Sequence, residues 1–147
     1  MSQENPKQDP MSAPRYMEIP TFMRAPLVDD LSDFDIAMIG VPYDGAVTNR
    51  PGARHGPREI RNASSMMRSI NPSTRVNPYE LCRIGDGGDV AFTRAYDIEG
   101  AHADIEARFS AIHLAGVTAL AAGGDHSISL PILRALASEQ PVGLIHI

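Results

Sequence analysis

The sequence predicts an α/β fold: a parallel sheet covered by helices on both faces. Two observations predict it. Apolar runs and amphipathic segments alternate as strand, helix, strand, helix, strand, helix, strand from residue 35 to residue 147, the order of a parallel sheet with crossover helices. The first run and the third are continuously apolar and end in glycine, as strands buried on both faces do.

The elements follow in order. Residues 1–14 are polar and lack the apolar centre of a signal peptide, which predicts a disordered tail. Residues 15–26 mix prolines with Tyr16, Ile19, Phe22 and Met23, a composition suited to an extended arm packed on another surface, such as a neighbouring subunit. Residues 35–41 form the first strand, central in the sheet. The loop 42–56 that follows is long, and structureless loops beyond about 12–15 residues are usually functional or disordered. Its composition, with Asn49, Arg50, Arg54 and His55 among glycines and prolines, is too specific for a linker.

Pro57 then opens a helix at the first-turn position that suits proline. Ile60, Ala63, Met67 and Ile70 give it one apolar face, and Asn71-Pro72-Ser73 ends it. Residues 82–84 form a second short strand, with Cys82 as a buried thiol, and residues 85–88 a turn. A helix starts at Asp97 or Ile98 with Ile98, Ala101, Ile105, Phe109 and Ile112 as its buried stripe. Asp104 and Arg108 make a favourable i,i+4 pair on it, and Gly116 stops it. A buried strand over 117–122, a turn over 123–127, a helix over 128–138 with Pro131 in its first turn, and a strand over 142–147 complete the order.

The turn Gly123-Gly124-Asp125-His126-Ser127 carries the chemistry. It places an imidazole and a carboxylate where a strand ends and a helix begins, the edge at which open α/β sheets bind ligands. On the residues alone, His126 reads equally as a metal ligand or as the surface histidine of an ordinary turn. His102 and His113 fall on the polar side of their helix and read as solvated; His146 reads as a core or sheet-face histidine; Asp86 and Asp89 read as a structural turn.

Bulk properties exclude several classes. The chain has 147 residues, 43% hydrophobic and 21% charged, and suits one soluble globular domain. A net charge of −5 without any Lys/Arg run gives no nucleic-acid footprint. No stretch approaches the roughly 18 apolar residues of a membrane span. Cys82 is the single cysteine, so no intramolecular disulfide forms, which fits a cytoplasmic setting.

Gly123-Gly124-Asp125-His126-Ser127 resembles the first metal-binding motif of the ureohydrolase family of arginases, agmatinases and guanidinobutyrases. Gly40-Val41-Pro42-Tyr43-Asp44-Gly45 and the segment 49–61 are similar to that family's N-terminal substrate-side loop. Ile19-Pro20-Thr21-Phe22-Met23-Arg24 resembles the lead-in of bacterial guanidino-acid hydrolases, and Gly85-Asp86-Gly87-Gly88-Asp89-Val90 fits the strand and turn between them. The likeness covers residues 15–147.

The resemblance implies an arginase-like three-layer α/β/α sandwich, incomplete here. It implies hydrolysis of a guanidino compound (guanidinobutyrate, guanidinopropionate or agmatine) to an amine and urea, with two Mn²⁺ per complete subunit. His126 is then a Mn²⁺ ligand and Asp125 a group that holds its geometry. Asn49, Arg50, Arg54 and His55 stand at the mouth of the site, where an arginine suits a substrate carboxylate. The resemblance also implies a homo-oligomer, trimer or hexamer. The family's Asp-Ala-His-x-Asp motif, which follows a strand like 142–147, is not in the sequence, so the chain is expected to be the N-terminal portion of such a domain, ending before the second metal motif. An inactive truncated paralogue or an assembly subunit is the alternative. A flavodoxin-like nucleotide binder shares the sheet pattern, but its phosphate loop is a short glycine-rich turn, unlike the proline-containing loop 42–56.

Overall fold

The computed structural model describes residues 10–145. Its sheet has three parallel strands, β1 (Ile36–Val41), β2 (Ile84–Asp89) and β3 (Thr118–Gly123), in the order β2-β1-β3. β1 is central, as expected, and every residue from Ala37 to Val41 is buried. Its register runs from Ile36 opposite Ile84 on one side and opposite Thr118 on the other. Between Met38 and Gly40 the ladder shifts, and β2 gains one residue before Asp89. Such a bulge re-aims the side chains beyond it.

The alternation of side chains along β1 divides the core. Ala37, Ile39 and Val41 face a cluster with Ile105, Phe109 and Ile112 of α3 (Ile98–Leu114) and Ala135 of α4 (Ser129–Leu136). Met38 faces the other way, into Phe22, Ala25 and Ile84, with Tyr79 of the short α2 (Pro78–Leu81) packed against them. α1 (Gly56–Ser64) lies on this second side, against the Phe22–Arg24 turn, β1 and β3. Helices therefore cover both faces, the three-layer α/β/α arrangement expected. No helix among the described residues is long and apolar enough to cross a membrane.

α3 forms where its pattern placed it. Asp97 caps it by accepting from the Glu99 and Gly100 N–H groups, and Ala101, Ile105, Phe109 and Ile112 are its buried stripe. Ile98 is half exposed. The Asp104–Arg108 pair does not form. Asp104 instead accepts from the Thr93 N–H at 2.7 Å and from its hydroxyl at 3.0 Å, while Arg108 donates to the Gly87 carbonyl at 2.9 Å. Both side chains find stronger long-range partners than a solvated i,i+4 contact offers.

Further expectations are corrected. The apolar face of α1 is not its buried face: Ile60, Met67 and Ile70 are exposed, and Pro57 and Ser64 are buried with Arg61 between them. Two carboxylates on β2 draw the Arg61 cation inward and so choose the helix face. The helix also ends at Ser64, before Met67, where the Ser64 and Ser65 hydroxyls bond back to the Arg61 and Asn62 carbonyls at 3.1 and 2.7 Å. Residues 85–88 are not a turn but part of β2, because their backbone pairs with β1. Cys82 is half-buried at the end of α2 rather than within a strand. β3 is a strand, but an edge one, with Leu120 53% exposed, and residues 142–145 form no strand: Leu144 and Ile145 stand exposed without a ladder. An apolar run becomes a strand only where a neighbour offers its N–H and C=O groups.

The arm packs on its own chain. Phe22 and Ala25 are buried, the Phe22 N–H donates to Asp86 at 2.9 Å, and Leu27 bridges to Asp86, whereas Tyr16 and Ile19 are exposed. Of the predicted disordered tail, residues 1–9 lie outside the described residues, and 10–14 form a turn whose Ala13 carbonyl accepts from Arg24. His146 also lies outside the described residues.

Candidate functional site

β1 and β3 are parallel neighbours, so the loops that leave their carboxyl ends meet. At the β3 end the chain turns through Gly124 and Asp125 into a short 3-10 turn, His126–Ile128, and then α4. Asp125 caps that turn: one carboxylate oxygen accepts from the Ser127 N–H at 2.8 Å and the Ser127 hydroxyl at 2.6 Å. Its other oxygen accepts from the Ala46 N–H in the β1 loop at 2.9 Å, and its own N–H donates to the Tyr43 carbonyl at 2.9 Å. Asp125 thus ties its own turn to the β1 loop. Gly124 permits the approach, since a Cβ there would lie 1.8 Å from the Tyr43 carbonyl oxygen.

His126 stands exposed at this edge, its Nδ1 3.5 Å from the Ser129 hydroxyl. An imidazole on a strand–helix turn at the carboxyl edge is a fit donor for one position of a metal shell. Among the described residues, no three His, Cys, Asp or Glu side chains converge to hold a metal ion. The residues present therefore fit one ligand and not a complete site.

The β1 loop is tied to itself by Asp44. Its side chain is fully buried and accepts from the Gly52 N–H at 2.7 Å, the Arg54 N–H at 3.3 Å and Arg54 Nε at 2.5 Å, with a second guanidinium nitrogen alongside. The Arg54 guanidinium, helped by the Gly52 and Arg54 amides and opposed by burial, holds the Asp44 carboxyl down at about 2. Arg54 itself is half exposed. It forms the rim between a cleft of about 450 Å³ beside Tyr43, Phe92 and Tyr96 and another of about 500 Å³ beside His55, Arg58 and Asp89. Asn49 and Arg50 are exposed on the outer part of the loop, Arg50 with a φ of 61°. His55 is exposed at the end of the 3-10 turn Ala53–His55; the next residue, Gly56, abuts β3, where a Cβ would come within 2.8 Å of the Gly123 carbonyl. The structure thus brings His126, Asp125, Asp44, Arg54 and His55 to one edge, with Asn49 and Arg50 on the loop that crosses it.

Two supports were not legible as such. Tyr43 is buried against Phe92 and His102, at ring separations of 5.6 and 6.2 Å, and its hydroxyl is pushed up by burial and then by the charges of Asp125, Asp97 and Asp44. His102 is consequently not the solvated histidine expected, and its Nε2 is buried without a hydrogen-bond partner. On the second face, Asp86 is buried and accepts from Arg61 at 2.8 and 2.9 Å, from the Phe22 N–H at 2.9 Å and from the Gly88 N–H at 2.9 Å. Arg61 also reaches Asp89 at 2.6 Å and lies 4.0 Å over the Phe22 ring. Burial raises the Asp86 carboxyl, but Arg61 and the two amides outweigh it and the net direction is down. Two Asp residues beside a glycine run and an Arg in the preceding helix were the only sequence signal for this network.

The Arginase family model matches residues 34–147. The chain is 46% identical over 147 residues to guanidinopropionase from Pseudomonas aeruginosa, covering 99% of this chain and 46% of that protein. It is 41% identical over 138 residues to guanidinobutyrase from the same organism, covering 91% of this chain and 43% of that protein. The structure resembles proclavaminate amidino hydrolase from Streptomyces clavuligerus, with a TM-score of 0.81 and 36% identity over 86% of this chain and 42% of that one. The chain spans less than half the length of each of these relatives.

Proposed function

Since the chain belongs to the arginase family, we propose that it supplies the N-terminal part of a guanidino hydrolase, and that His126 is one ligand of a two-manganese centre in the complete protein. The observation that carries this reading is the His126 turn, exposed at the sheet's carboxyl edge and tied to the β1 loop through Asp125. A guanidinium carbon is resonance-stabilised and water is a poor nucleophile. Bound metal lowers the pKa of its water from 15.7 to about 7 and so supplies hydroxide at neutral pH. The chain's own residues bind and orient. His126 offers its ring to the metal, Asp125 fixes the turn that carries it, and the β1 loop with Asn49, Arg50 and His55 meets the far end of the substrate.

A substrate with a carboxylate tail suits this edge better than one with an amine. Arg50 brings an exposed cation to the loop, and an arginine–carboxylate pair contributes about 1.5–3 kcal/mol where an amine would be repelled. The resemblance to guanidinopropionase and guanidinobutyrase supports the same choice. We read the complete protein as a cytoplasmic homo-oligomer acting on a small guanidino acid. The test is urea release by the complete protein with Mn²⁺. Guanidinopropionate or guanidinobutyrate is expected to exceed agmatine in kcat/KM, with arginine poor. Agmatine ahead by about tenfold, some 1.4 kcal/mol of transition-state binding, would overturn the carboxylate reading.

A further inference from the structure

We propose that Asp44 is a positioning residue for this hydrolysis and that Arg54 is the arm of its clamp rather than the reader of the substrate's tail. This rests on the guanidino-hydrolase reading above.

The β1 loop is pinned to the His126 turn at its start and again at its end. At its start the Tyr43 carbonyl accepts from the Asp125 N–H, and the Ala46 N–H donates to the Asp125 carboxylate. At its end Gly56 lies against the Gly123 carbonyl. Asp44 sits between the first two pins and reaches across to Gly52 and Arg54, just before the last. Its fully buried carboxylate thereby joins the two pinned ends and closes residues 44–54 into one ring. Asn49 and Arg50 ride on that ring, so Asp44 fixes where they stand relative to His126.

The same contacts change the meaning of Arg54. Its Nε edge, one of the two edges with which a guanidinium grips a carboxylate in parallel, is already engaged by Asp44. Its charge is offset by that buried anion. A substrate carboxylate arriving there meets a neutral pair, whereas the exposed Arg50 has no acidic partner among the described residues.

The experiment compares Asp44→Asn, Arg54→Ala, Arg54→Lys and the Asp44→Asn/Arg54→Ala double variant in the complete, manganese-loaded protein. Urea release is measured with guanidinobutyrate and with agmatine, and amide exchange is read at Ala46, Gly52 and Arg54. The clamp predicts that each single variant lowers kcat/KM by about tenfold or more for both substrates, leaving their ratio within about threefold of wild type. The double variant falls no further than the worse single one, because residues sharing one contact are not additive. Arg54→Lys keeps the cation and recovers part of the loss, and Gly52 and Ala46 lose exchange protection together in Asp44→Asn. Arg54→Ala shifting the substrate ratio by about tenfold, or the two single losses multiplying, would overturn the proposal. Unchanged protection at Gly52 in Asp44→Asn would overturn it as well. If no guanidino compound is hydrolysed by the wild type, the functional reading fails, and the exchange measurement still decides the clamp.

Discussion

Gly124→Ala tests whether the His126 turn depends on its close approach to β1. The added methyl would lie 1.8 Å from the Tyr43 carbonyl oxygen, 2.7 Å from its carbon and 2.9 Å from the Tyr43 nitrogen. Ordinary carbon contacts sit near 3.5–4.0 Å, and all three obstacles are backbone, so the turn must retreat by about 1.5 Å. That retreat stretches the Asp125 N–H bond to Tyr43 and the Ala46 N–H bond to Asp125, each 2.9 Å, beyond hydrogen-bond range. One is a neutral bond worth about 1 kcal/mol and the other ends on a carboxylate worth about 1.5–3, so the loss is about 3 kcal/mol. For a domain stable by 5–15 kcal/mol that is a large fraction but not all of it. The complete protein is assayed by denaturant unfolding and by urea release. The expected result is a lowered midpoint and a turnover reduced by about 100-fold, the cost of an ångström of misplacement. A variant with wild-type midpoint and turnover would refute the coupling of turn and loop.

Asp86→Ala leaves the Arg61 guanidinium, 13% exposed, with Asp89 as its remaining acid, and should cost about 3–5 kcal/mol, the range for breaking a buried pair. Denaturant unfolding checks it, and a loss under about 1 kcal/mol, the size of a surface pair, contradicts the placement of Asp86. Acid stability follows from Asp44 and Asp35, both held at about 2 in the folded chain against an ordinary 3.8, by Arg54 and Arg83 respectively. A depressed folded value means stability that is complete above about 4 and lost as the pH falls toward 2. Tm followed from neutral pH downward should be level in this respect until about pH 4 and then drop, and the drop should shrink in Asp44→Asn; a slope unchanged by that variant would show that Asp44 is not held as described.

What the sequence reveals and conceals has a physical pattern here. β1 was legible because both of its faces are buried, so its apolar run has no competing reading. The α3 stripe was legible because one helix face meets one core. α1 was misread because Arg61 is turned inward by carboxylates 25 and 28 residues away, a demand that periodicity does not contain. The Gly85–Asp89 stretch was misread for a related reason. Glycines signal a turn locally, but here they lie beside β1, and Asp86 is satisfied by Phe22, 64 residues earlier. The turn that carries Asp125 and His126 was legible from one pentapeptide, because strand end, turn and helix start are all local. The Asp44 clamp was not, since nothing in Asp44 or Arg54 alone distinguishes a buried partner from a bound ligand.

The central claim is that His126 serves a metal centre in a guanidino hydrolase. Metal content and urea release, measured together on the complete protein and on His126→Ala, test it most directly. About two Mn²⁺ per subunit, the count of a two-metal hydrolytic site, are expected for the wild type. His126→Ala should lose at least one of them and reduce urea release by orders of magnitude, while its melt matches the wild type when both are stripped of metal, because the ring is exposed in this chain. Near-normal manganese and near-normal urea release in His126→Ala would contradict the account.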